Sequence, residues 1–504
     1  MKNLGCICRK VYDRDNEGQS HNAYLTVTLA LCLAVILSLF LTLIDGVRRN
    51  GARLEVECVT DIGLQSIMAE YHRELMKQYN LFAIDSSYGT GTCGRANTEA
   101  HLLQYLSGNL SYDDIFLSDY LYRDFLGLTV EQAELTKVSI LTDYDGAVFR
   151  DDAVKAVKAD VGLGLLEELQ GWMQKVEVNG LEEGKEEARK QELDAEIREW
   201  IDEYDGTEIE VGEDEWGRVE IRNPTDELEA TKRLGLLRLV VGDAASVSTN
   251  IIHTDGLILN RMQQGRINHG NIALEENAGA GQMTERFLFQ EYLLRYMGRY
   301  GEEHEEDALH YQIEYLIGGK ESDVENLKSV VNRLCILREA ANAMYLMSNE
   351  AKKAEIKLVA AAACTLIALP ALMPLLESAI LLAWAYAESV YDVRALLAGG
   401  KVPLLKDDGS WHYSLTAALS GSLQDEGTGG EGLGYEDYLR IFMMLSDMDT
   451  ITARAMDMVE ADIRKTPGNA GFRLDGCFRT VEARVRIGST HGFRYEITRQ
   501  KRYE

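Results

Sequence analysis

By residue type and spacing, the strongest chemical candidate is the trio Glu306, His310 and Glu314. They recur at i, i+4 and i+8, which would set them on one face of a helix, with His304 and Asp307 nearby. A carboxylate–imidazole row can ligate a metal ion. This row lacks the paired Glu-x-x-His of a di-iron bundle, and it reads as an ordinary solvated or capping cluster, so no metal site is expected. A second candidate, Asp85-Ser86-Ser87-Tyr88-Gly89, follows the apolar run Leu81–Ile84, which reads as a short strand. An Asp there is the ordinary start of a turn. The glycine-rich stretch GTGGEGLGYED (residues 427–437) has neither the Lys nor the strand–helix setting of a phosphate loop, so it reads as a loop. The GxSxG, HExxH and Walker A patterns do not occur. No catalytic residue, no cofactor and no small-molecule substrate is expected, and the chain is not expected to be an enzyme.

The element that would position everything else is Ala23–Ile44, uncharged and apolar with charged residues on both sides. About 20 residues of helix cross a bilayer core. The run is longer than a signal-peptide core of about 7–15 residues, and Asp45-Gly46-Val47-Arg48 follows it where a small-x-small cleavage site would stand. A retained single-pass anchor is the expectation. Lys2, Arg9, Lys10 and Arg14 precede it and Arg48, Arg49 and Arg53 follow, so charge leaves its orientation nearly balanced. No proline interrupts Asp45–Tyr79. Leu64, Ile67, Met68, Tyr71 and Leu75 recur there at helical spacing. The reading is one helix from Ala23 to Tyr79, about 85 Å long, whose projecting stripe Leu64, Ile67, Met68, Tyr71 and Leu75 binds a partner.

Behind this stalk the composition is that of an acidic, mainly helical body. The net charge of −30 excludes nucleic acid as a partner, because phosphate binding needs a basic face. Only five prolines occur, none before Pro224. The eight cysteines contain no CxxC and suggest neither a metal site nor a disulfide framework. Leu181–Glu215 has sixteen acids and four bases and reads as a solvated helix and linker. Leu358–Leu376 is nineteen residues without a charge, but Pro370 and Pro374 favour a core hairpin over a second membrane span. The tail changes character. Val481, Ala483, Val485 and Ile487 alternate with Glu482, Arg484 and Arg486, and Phe493, Tyr495 and Ile497 alternate likewise, as in half-buried strands. Arg464–Glu504 carries ten bases and four acids, which suits an edge hairpin facing acidic neighbours or contact with an acidic partner.

The expected fold class is mainly α with a small β component (α+β). A cytoplasmic N-terminus (1–22) leads into a transmembrane helix (23–44), then a stalk helix and strand-turn (45–94). A first head region with the acidic helix or linker (95–235), a helical core (236–430) and a helix with a basic β tail (431–504) complete the chain.

Several stretches carry a family resemblance. The anchor runs into LIDGVRRNGARLEVECVTDIGLQSIMAEYHRELMKQYNLFAIDSSYG. LHYQIEYLIGGKESDVENL, LREAANAMYL, AWAYAESVYDVRALLAGGKVPLLK and YEDYLRIFMMLSDMDTITARAMDMVEADIR follow in that order. Together they resemble an uncharacterised membrane-anchored family of Gram-positive bacteria, typically encoded with tight-adherence (Tad/Flp) pilus genes. The first 80 residues are similar to TadE and TadG pseudopilins. The resemblance implies a structural or assembly component of a Tad-type pilus machine, in the cell membrane with its bulk extracytoplasmic. Its implied partners are other Tad pilins or inner-membrane platform proteins. It also implies prepilin cleavage between Gly18 and Gln19, although Ala23 stands where such sites usually have Glu; a permanent TadG-like anchor is the alternative. Asp85-Ser86-Ser87 separately resembles the DxSxS metal-adhesion loop of von Willebrand A domains, where an Asp and two Ser supply oxygens to a divalent cation. Here Gly89 replaces the second Ser. On that resemblance the alternative function is a surface adhesin or binding module, cation-dependent through Asp85, Ser86 and Ser87.

Overall fold

The scarcity of proline and the long runs of 3.6-residue periodicity produce a mainly helical chain with a small antiparallel sheet, as expected. The computed structural model describes residues 4–111, 126–181, 195, 199, 208–212, 215–218, 236–242, 247–273, 282–367, 373–420 and 429–503. Most of the acidic run Leu181–Glu215 lies outside them. In chain order the elements are α1 (Leu4–Met68), α2 (Arg73–Tyr79), β1 (Ile84–Asp85), α3 (Arg95–Leu110) and β2 (Leu128–Ile140). Helices α4 (Asp143–Val157) and α5 (Leu163–Val178), strands β3 (Glu208–Gly212) and β4 (Glu215–Arg218), and helices α6 (Leu236–Val240) and α7 (Ile258–Gln263) follow. Next come α8 (Gln282–Tyr296), α9 (Gln312–Gly318), α10 (Asp323–Ser348), α11 (Glu350–Ile367) and α12 (Met373–Leu397). The chain ends with α13 (Leu415–Leu419), α14 (Tyr435–Leu445), α15 (Met448–Lys465), β5 (Cys477–Ser489) and β6 (Arg494–Arg502).

These elements form two compact units. The first comprises residues 1–71, 94–138 and 479–504; the second comprises 72–93 and 139–478. The domain boundaries read from the sequence therefore differ at the tail, which from Arg479 onward belongs with the N-terminal helix. In the first unit α1 packs on α3 and along β6. Gly63 permits the α1–α3 approach: a Cβ there would stand 2.8 Å from the Leu106 Cδ2. The expected strand alternation holds. Val481, Ala483, Val485 and Ile487 are buried, and β5 pairs with β6 antiparallel from Thr480↔Arg502 to Gly488↔Arg494. The bases on the other face find acids within the unit: Arg484 bonds Glu134 (3.1 Å), Arg486 bonds Glu496 (2.7 Å) and Arg494 bonds Glu131 (3.0 Å).

Helix α1 begins ahead of the expected Ala23, at Leu4, and stops before the expected end. It ends at Met68 rather than Tyr79, because the His72 N–H donates to the Ala83 carbonyl (2.9 Å) instead of extending the helical ladder. The His72 Nδ1 then accepts from the Leu75 N–H (3.2 Å) and caps α2 as a new helix. A similar stop divides the region ahead of the basic tail, where a single helix is expected, into α14 and α15. The Asp447 carboxylate accepts from the Thr450 N–H (2.9 Å) and starts α15.

The second unit is a helical body. At its centre α10 and α12 pack together around a buried ionic network. The Arg338 Nε donates to the Asp392 Oδ2 (3.0 Å), and Arg338 Nη1 donates to the carbonyls of Pro403 and Leu404 (2.8 Å each). The Lys406 ammonium lies 2.7 Å from both Glu388 Oε1 and Asp392 Oδ1. Glu388 also accepts the backbone N–H groups of His412 and Tyr413. All four charged side chains are at most 2% exposed. Two cations balance two anions, which is how charge can be held in an apolar interior. Helices α11 and α12 pair as the hairpin expected near Leu358–Leu376. That hairpin is only partly covered: Ile356 and Ala360 are buried, whereas Leu358 is 73% exposed. Residues 368–372 lie outside those described.

Removing one partner leaves a buried charge uncompensated. Asp392→Ala is therefore expected to destabilise the helical unit by about 3–5 kcal/mol. Glu350→Ala, at an exposed ion pair, should leave it nearly unchanged. Urea unfolding of the full chain in detergent checks this; equal effects would contradict it.

Candidate membrane anchor and interaction sites

Helix α1 changes character along its length. From Tyr24 to Ile44 its large apolar side chains are exposed on every side, between 47% and 78%. Its most apolar window has a mean hydropathy of 2.8 and no buried residue. At 1.5 Å per residue these 21 residues span about 32 Å, the thickness of a bilayer core. From Ala52 onward only one stripe is covered: Ala52, Val56, Val59, Leu64 and Ile67 are buried, while Leu54 and Ile62 are exposed. An all-round apolar helix is built for a lipid or protein interior, and a one-sided helix for the surface of a folded body. The segment is thus long and apolar enough to serve as a single membrane anchor or as a signal sequence. Gly18 and Gln19 lie within α1, ahead of it.

The stripe expected to bind a partner is instead spent inside the chain. Leu64 and Ile67 are fully buried and Met68 nearly so, all in the first unit. Leu75 is fully buried in the core of the second unit, and Tyr71 lies between α1 and α2. Their helical spacing records intramolecular packing.

The candidate row Glu306, His310 and Glu314 does not assemble. Glu306 and His310 fall in the loop before α9 and only Glu314 is helical, so the three share no helix face. Glu314 is fully buried and accepts from the Tyr300 N–H (3.0 Å) and the Tyr435 O–H (2.7 Å). The periodicity read there as one helix covers a loop whose Asp307 amide bonds the His304 carbonyl. Asp85 and Ser87 form a closed turn. The Ser87 N–H and O–H donate to Asp85 Oδ1 and Oδ2 (2.9 and 2.8 Å), and the buried Ser86 hydroxyl donates to the Gly476 carbonyl (2.6 Å). The oxygens offered by the adhesion-loop resemblance are thus engaged with one another and with the backbone. No group of three or more metal-ligating side chains occurs among the described residues. Gly89, Gly91 and Gly94 have GxGxxG spacing. In dinucleotide-binding folds that turn leaves a parallel strand; β1 is two residues long and pairs antiparallel with β5.

Residues 214–489, more than half of the chain, match a family of unknown function (DUF5702). The chain belongs to that family. No curated protein and no solved structure matches it. The matched region of this DUF5702 protein contains β4, α6 to α15 and all of β5; the apolar helix lies outside it.

Within that region the structure assembles buried acids that no motif announces. Asp457 accepts from the Leu259 N–H (3.0 Å) and the Tyr315 O–H (2.9 Å). Asp462 accepts from the Tyr79 hydroxyl, the Gln312 amide (2.6 Å) and the Ala308 N–H (2.5 Å). Glu460 and Asp475 share the Arg261 guanidinium, at 2.6 and 2.8 Å. Burial pushes the Asp457 and Glu314 carboxyls up to about 7. Burial, and then the neighbouring Asp307, raises Asp462 as well. The one available signal was acids on the apolar face of α15, at Asp457 and Glu460 amid Met456, Met458 and Val459.

A carboxyl whose folded pKa lies above its unfolded value, near 4, binds its proton more tightly when folded. Its stabilising contribution is complete below the unfolded value and is lost as pH rises through about 7 for Asp457. The unfolding midpoint of the helical unit is therefore expected to fall between pH 5 and pH 8. Asp457→Asn should flatten that slope and be the more stable protein at pH 8. Urea titrations across this range measure both; an unchanged slope would contradict the assignment.

Proposed function

We propose that this protein is a non-enzymatic structural or assembly component of a Tad-type pilus machine, held in the cell membrane by α1 with most of the chain outside the cytoplasm. The observation that carries the reading is the helix itself, which keeps 21 residues apolar and uncovered and then becomes amphipathic within two turns. Its order of anchor, one-sided helix and folded body is the order of a pseudopilin, and the resemblance to TadE and TadG over the first 80 residues supports it. Because the Leu64 stripe is internal, the surface left for other pilins or a membrane platform protein is the apolar segment Tyr24–Ile44. Helices packed in lipid associate through close contact and hydrogen bonds rather than through the hydrophobic effect.

Deleting the gene in a piliated host is expected to reduce or abolish surface filaments, counted by electron microscopy after shearing, with recovery on complementation. Unchanged piliation would remove the pilus assignment.

A further inference from the structure

The register of β6 along α1, both in the first unit, fixes the height of one turn relative to the apolar segment. The Tyr495 O–H donates to the Arg49 carbonyl (2.9 Å), Arg499 lies 3.8 Å from Asp61, and Tyr503 bonds the Met68 carbonyl. Strand and helix therefore climb together. Eight strand residues rise about 27 Å, and the nineteen helix residues beside them rise about 28 Å. Descending from Tyr495, the strand reaches the β5–β6 turn about 7 Å nearer the apolar segment. Arg49 itself is about 8 Å beyond Ile44. The turn thus lies level with the end of the apolar run, where a bilayer's headgroup layer of about 5–8 Å begins.

The chemistry of the turn suits that layer. It is held tightly: the Ser489 N–H donates to the Phe493 carbonyl (2.8 Å), and Gly492 takes φ +84°. His491 is exposed, the Arg494 side chain is 77% exposed although bonded to Glu131, and the turn contains no acid. The Arg49 guanidinium sits 4.7 Å over the Phe493 ring, and its other partner is Asp45 (3.0 Å). Arginine forks match phosphate oxygens.

We propose that the β5–β6 turn, Thr490–Arg494, rests in the lipid headgroup layer, with His491 and Arg494 against phosphate groups and the Phe493–Arg49 pair beside them. The turn makes a second, shallow contact that fixes how the first unit stands on the bilayer. This inference rests on the anchor reading of α1. To test it, p-benzoylphenylalanine is placed at His491 or, separately, at Gln500, an exposed strand position beside Arg499, about 25 Å farther along α1. Each full-length protein is reconstituted into phosphatidylglycerol–phosphatidylethanolamine vesicles, floated on a density gradient and irradiated, and lipid adducts are read by mass spectrometry. The expected result is flotation of both, with lipid adducts at position 491 and none at 500. Flotation without an adduct at 491, or with equal adducts at both, would overturn the proposal and leave the anchor intact. Failure to float would overturn the anchor reading and this contact with it.

Discussion

A single helix with two kinds of surface, apolar on every side and then apolar on one, constrains this molecule. Leaving a Leu, Ile or Val side chain in water costs about 1.5–3 kcal/mol relative to burial. The run Tyr24–Ile44 exposes twelve such side chains. Among the described residues of the first unit, none covers them. Backbone polar groups are satisfied within the helix, which is what a bilayer core demands of any segment crossing it. Beyond Asp45 the same helix adopts the one-sided pattern of a protein surface, packing Val56, Val59, Leu64 and Ile67 inward. Where α1 stops being uniformly apolar is where the folded body can begin.

The sequence made much of this legible, and its failures have physical causes. The apolar run, the helical body and the β5–β6 hairpin were readable because each depends on local periodicity. The end of α1 at Met68 was not, because it is set by a tertiary hydrogen bond from His72 to Ala83. The same limit applies to Leu64 and Ile67: periodicity shows that a face will be covered, not by what. At Glu306, His310 and Glu314 a helical spacing lay across a loop and a helix start, so the row never formed. The basic tail was legible as charge, but its partners Glu131 and Glu134 lie some 350 residues away in sequence.

The second unit shows a different economy. Its helices enclose Arg338, Asp392, Lys406 and Glu388 with their charges paired, and Asp457, Asp462 and Glu314 among hydroxyl, amide and backbone donors. In such an interior every charge needs its partner, because a buried charge left alone is costly. These side chains lie within the segment that defines the family, whereas the apolar helix precedes it. Family membership thus tracks a polar-cored helical body, and the proposed location tracks the helix that carries it.

The most direct test of the central claim uses two native thiols on α1. Cys32 lies within the apolar run and Cys58 beyond it, and both are exposed on the isolated chain. Intact cells would be treated with a membrane-impermeant maleimide, and the modified peptides mapped by mass spectrometry. The account predicts that Cys58 is labelled from outside, while the Cys32 peptide is present in the mature protein and unlabelled until detergent is added. Labelling of Cys32 as readily as Cys58, or a mature chain that begins after Cys32, would contradict a retained membrane anchor.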